Sequence, residues 1–105
     1  MLNEAHQALA LGFARALSER RYVAAHAMCT RDLRSKVSVE KIQSDFEAII
    51  PLDWGPVAPI ELVDIAGLPY VYVSLGGELY SEAITIFLSD EDGNLQVDRF
   101  ELGRP

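Results

Sequence analysis

Disulfide chemistry is the first thing this sequence lacks: Cys29 is the single cysteine in 105 residues, so no bridge can close within the chain. A small chain without one suits a reducing compartment, and a cytoplasmic protein is the expectation. Long apolar runs are missing too. The stretch MLNEAHQALALGFARALSER is broken by Glu4, His6 and Gln7 and has no basic segment ahead of its apolar residues, which fits neither a signal peptide nor a membrane span. Basic side chains are absent from more than half of the chain. From Ile42 to Asp98 there are eleven Asp and Glu and no Lys or Arg, whereas Met1 to Lys41 holds seven basic and four acidic residues, for a net charge of −7. That distribution argues against nucleic acid, whose phosphates need a basic footprint. It suits a cationic small ligand or a basic protein partner, or serves solubility alone.

Catalytic signatures are also wanting. No nucleophile elbow, phosphate-binding loop, dinucleotide fingerprint or zinc spacing occurs, and no metal or cofactor is expected. His26 and Cys29 share a helix face at a spacing of three, but a thiolate near a helix C-terminus is disfavoured, and the remote His6 does not complete a metal set. SDEDGN offers Asp90, Asp92 and Asn94 at alternate positions, with Glu101 at position twelve counted from Asp90, yet Leu95 stands at position six, where a calcium loop needs glycine. Its reading is a hairpin turn.

What is present divides by period. Up to about residue 50 apolar residues recur at three and four. Leu2, Ala5, Leu9, Phe13, Ala16 and Leu17 stripe a helix over 3–18, a short helix follows from Tyr22 to Cys29, and TRDLRSK is a turn or a single helical turn. Ser38 caps a third helix striped by Val39, Ile42, Phe46, Ile49 and Ile50, which Pro51 stops. After PLDWGPVAP come four extended runs, Ile60 to Ile65, Pro69 to Leu75, Leu79 to Leu88 and Leu95 to Leu102, separated by turn residues too few for crossover helices. The expectation is one α+β domain over residues 1–105, with a helical half to about residue 50 and a sheet half over 57–103. Three N-terminal helices then pack on one face of a curved four-stranded antiparallel meander.

This order of elements, with FARALSERRYVAAHAMCTRDLRSKVSVEKIQSDFEAI and a following Trp-Gly loop, resembles small members of the nuclear transport factor 2-like superfamily, which has a cystatin-like cone fold and includes ketosteroid isomerase and SnoaL-like proteins. The resemblance is architectural and spans nearly the whole chain. It implies a helix-lined, sheet-backed pocket and frequent homodimerisation, in a group that holds enzymes, binding modules, immunity proteins and accessory domains.

The candidate residues cluster on one hairpin. If Gly76 and Gly77 form a two-residue turn, Val71 pairs with Glu82, and one face carries Val71, Val73, Leu75, Tyr80, Glu82, Ile84 and Ile86. The other carries Tyr70, Tyr72, Leu79 and Phe87. A carboxylate on the aliphatic face needs a partner, a wet pocket or an escape to solvent, so Glu82 is the candidate general base or cation ligand of an isomerase- or hydratase-like site, with Tyr80, His26, Trp54 and Arg99 as further pocket candidates. The isomerase set of one base and two oxyanion donors does not map onto these positions. Arg99 sits where the alternation of the last strand changes phase, which predicts a bulge near Asp98 and Arg99; it either turns toward Glu82 or pairs with its neighbours. Trp54 either seals the end of the cone or forms the lip of a ligand site. Tyr70, Tyr72, Leu79 and Phe87 form an aromatic patch on the outer face, and homodimerisation through that face is the expected assembly. The leading functional reading is a non-enzymatic module that binds a small ligand or a protein; the alternatives are the Glu82 enzyme and an immunity-type or scaffold protein acting through its acidic surface.

Overall fold

The computed structural model describes residues 4–64, 70–77 and 81–103. Helices come first, then strands: α1 (Glu4–Ser18), α2 (Tyr22–Ala27), α3 (Arg31–Lys36), α4 (Val39–Ile49), a single 3-10 turn at Leu52–Trp54, and β1 (Ala58–Val63), β2 (Tyr70–Gly76), β3 (Ser81–Glu91) and β4 (Asn94–Leu102). The strands lie in sequence order as an open antiparallel meander, which is the expected α+β arrangement. The helix count differs, because TRDLRSK is a helix of its own. Thr30 accepts a hydrogen bond from Leu33 N–H at 3.2 Å, and this side-chain cap lets so short a segment close its first turn.

The ends of α1 and α4 have identifiable causes. Arg20 takes the left-handed conformation, with φ of 63°; Arg20 N–H donates to Leu17 O at 3.0 Å and Arg21 N–H to Ala16 O at 2.8 Å, the paired bonds of a Schellman ending for α1. Glycine usually fills that position. Here the arginine is held by its own side chain, whose Nη1 donates to Ile50 O at 2.9 Å while the guanidinium lies 5.1 Å above the Phe46 ring. The same group that ends α1 therefore caps α4. At the other end of α4, Ser38 accepts from Lys41 N–H at 3.1 Å, as its position before the apolar stripe predicts.

Core and sheet meet along one face. Val71, Val73, Leu75, Ile84 and Ile86 are fully buried and join Phe13, Leu17, Ile42 and Phe46 in one apolar cluster. α1 lies across all four strands, whereas α3 and α4 pack against β4. β2 alternates buried and half-buried residues without a break, the period-two signature of a strand with one face on the core.

The β2–β3 hairpin corrects the expected turn. Gly76 pairs with Ser81 and Leu75 with Glu82, so residues 77–80 lie between the paired strands and the register stands four residues from a Gly76-Gly77 turn. The cause is core packing: this register sets Val73 opposite Ile84 and Val71 opposite Ile86, where the tight turn would have placed Tyr80 and Glu82 against those valines. Because four is even, the paired residues of the two strands keep the faces the sequence assigned to them. Two bulges bend the edge strands, one between Pro59 and Glu61 and one opposite Phe87, where Asp98 is the extra residue. The second lies where the phase change in the sequence predicts it. The β3–β4 connection is a two-residue turn: Asp92 and Gly93 have φ of 53° and 82°, the conformation that Asp-Gly favours in a tight hairpin.

Candidate functional site

The residues proposed from sequence do not converge. Glu82 shares the inner face but lies near the start of β3, opposite Leu75, not in mid-strand beside Val71. It is half-buried, and among the described residues its carboxylate makes no hydrogen bond or ion pair. The slide in register supplies the escape toward the strand end that the tight-turn reading denied it. Tyr80 and Leu79 lie outside the described residues.

His26 is a structural link. Its Nε2–H donates to Val37 O at 3.0 Å, tying α2 to the junction of α3 and α4. Cys29, on the following turn, is buried, and its thiol pKa is pushed up to about 11 by burial, with the Arg34 guanidinium pulling the other way. A thiol held so far above neutral is not a nucleophile. No grouping of three metal-ligating side chains occurs among the described residues, and SDEDGN is the turn its composition suggests.

Arg99 stands on the opposite side of the sheet from Glu82. It pairs with Phe87 across the strands, holds its guanidinium 4.0 Å above that ring, and reaches Glu101 at 3.8 Å. The bulge at Asp98 thus aims Arg99 onto the outer face, and the neighbour pairing prevails over a contact with Glu82. Trp54 is 43% exposed, so it does not seal the end of the cone.

The concave face carries no open site at these residues, because Phe13, Phe46, Ile42 and Ile84 fill it. Concavities lie instead on the surface. One cleft of about 460 Å³ runs between α3, α4 and β4, walled by Leu33, Val37, Ala48, Ile49, Phe100 and Leu102 with Asp45 and Arg99 at its margins. Another, of about 540 Å³, lies along the helical side beside Arg20, Tyr22, Val23, Val39 and Gln43. There Tyr22 Oη–H donates to Glu47 Oε2 at 2.8 Å and faces Arg20 Nη1 at 3.5 Å; burial, foremost, raises the phenol above its ordinary range. Sequence spacing gave no sign of either cleft, since each joins residues from elements far apart in the chain.

The outer face of the sheet is the other notable surface. Tyr70 and Phe87 meet as tilted rings with centroids 5.3 Å apart, and Tyr72 stands beside Thr85 in the next cross-strand row. These aromatic side chains are half-buried rather than fully exposed, while Thr85 beside them and Ala83 in the following row are buried. α1 is the helix that packs on β2 and β3, and it does so on the inner face, leaving this aromatic surface bare of described helices. No helix among the described residues is long and apolar enough to cross a membrane. No protein-family model, curated protein or solved structure matches the chain.

Proposed function

We propose that this protein is a non-enzymatic interaction module of the cone-fold type, a homodimer assembled through the outer face of its sheet. The observation that carries the reading is the contrast between the two faces: Val71, Val73, Ile84 and Ile86 are spent on the core, and Tyr70, Tyr72 and Phe87 have no described helix over them. Flat aromatic surface of this kind gives large contact area at low conformational-entropy cost. Arg99 over Phe87 supplies a charged rim to the patch, and the run from Ile42 to Asp98 without Lys or Arg favours a basic protein as any further partner. Membership of the nuclear transport factor 2-like superfamily and a cytoplasmic location belong to the same proposal. The alternative with Glu82 as general base draws no support from the geometry, since neither surface cleft is walled by that residue.

Amide shifts on dilution test the assembly. Labelled protein taken from high to low concentration should show shifts at residues 70–74 and 83–87, with α1 unmoved. Shifts confined to the helices, or none at any concentration, would overturn it.

A further inference from the structure

Strand β4 is an edge of the sheet, and part of its free side is already occupied. Val97 N–H donates to Met28 O at 2.8 Å and Thr30 N–H donates to Val97 O at 2.9 Å, so the link between α2 and α3 runs parallel to β4 at that residue. Past the bulge at Asp98 the ladder to β3 resumes, and Gly103 N–H donates to Ala83 O at 2.9 Å. Counting back from that bonded pair, Arg99, Glu101 and Gly103 direct their backbone groups at β3, while Phe100 and Leu102 direct theirs away from the sheet. Beside them lies the cleft of about 460 Å³. Backbone donors and acceptors next to open space are a template for another strand.

We infer that the β4 edge, Asp98 to Leu102, receives β4 of a second copy of this chain, antiparallel and centred on Phe100. Charge selects both the occupant and the register. Arg99 and Glu101 flank Phe100 on the outer face, and their side chains are 61% and 64% exposed. A two-fold axis through Phe100 places Arg99 opposite Glu101 of the second copy, and Glu101 opposite its Arg99, as non-hydrogen-bonded cross-strand pairs, the closest kind. Centring the axis on Glu101 would oppose two carboxylates, and centring it on Arg99 would oppose two guanidinium groups. Phe100 then faces its counterpart with both sets of backbone groups pointing outward, as a hydrogen-bonded pair requires. The occupied edge at Val97 limits how far the ladder runs, and inward side chains of the added strand meet the apolar wall formed by Ala48 and Ile49. This contact uses a surface distinct from the aromatic face and stands without it.

The test is a mixed cross-link. Arg99→Cys and Glu101→Cys proteins are oxidised separately and as an equal mixture; opposed non-bonded pairs place Cα atoms within disulfide range, and the buried Cys29 does not compete. The expected result is a covalent dimer in the mixture at least several-fold above either protein alone. Cross-linking of Glu101→Cys by itself to the same extent, or none in any sample, overturns the register or the site. A second measurement on the unaltered protein separates edge from face: amide exchange at Phe100 and Leu102 should slow as concentration rises. Exchange there that is independent of concentration overturns the edge contact even if a cross-link forms, and slowed exchange upholds it even if the aromatic face proves monomeric.

Discussion

Cys29 shows most directly how burial sets chemistry at one residue. Its thiol is neutral when protonated, and folding raises its pKa to about 11, above the ~8.5 of a solvated thiol, so the folded state holds the proton more tightly than the unfolded chain. The resulting stabilisation is whole below about pH 8.5 and is lost as pH rises toward 11, on the order of 3 kcal/mol. Denaturant midpoints measured from pH 8 to 11 should therefore fall more steeply for the native sequence than for Cys29→Ala, and parallel curves would contradict this. Glu82 makes the opposite case. With no partner among the described residues, Glu82→Gln should leave the denaturant midpoint within about 0.5 kcal/mol of the native value, as at ordinary surface positions; a loss of several times that would reveal an interaction at this carboxylate. The face of Glu82 was legible because parity survives an even slip, but its depth in the sheet was not. Two adjacent glycines looked like a turn, and only the match of Val71 to Ile86 and Val73 to Ile84 decides otherwise.

Among the elements, helix ends and hairpin turns were the most legible parts, since their causes are local. Ser38 before Val39, Pro51 after Ile50 and the Asp92-Gly93 turn each act within a few residues. Gly93→Ala should cost about 1 kcal/mol or more, because alanine resists the positive φ that the turn requires; thermal unfolding reads this directly, and an unchanged midpoint would argue for a different turn. Arg20 was not legible at all. Its left-handed conformation depends on the Ile50 carbonyl and the Phe46 ring, thirty and twenty-six residues onward in sequence. Arg20→Ala keeps the strained backbone and removes both contacts, so a loss of about 1–2 kcal/mol is expected. α3 was legible only as a turn or a single helical turn, since its cap Thr30 is also a backbone partner of Val97, far along the chain.

At the scale of the whole molecule, the α+β order and the division of the sheet into an aliphatic and an aromatic face were readable from the change of period near residue 56, whereas the site was not. A closed inner face depends on how Phe13, Phe46 and Ile42 fill the concavity, and side-chain volumes across three layers leave no pattern in one dimension. The proposed assembly therefore uses the outside of the sheet, where Tyr72 pairs with Thr85 in the row next to Tyr70 and Phe87. Sedimentation equilibrium of the native protein against Tyr72→Glu is the most direct test of that central claim, with circular dichroism to confirm that the variant is folded. The account predicts a native mass of at least two chains at low micromolar concentration and a shift of the folded variant toward monomer; a native protein that sediments as a monomer there, or a folded variant with unchanged association, would contradict it.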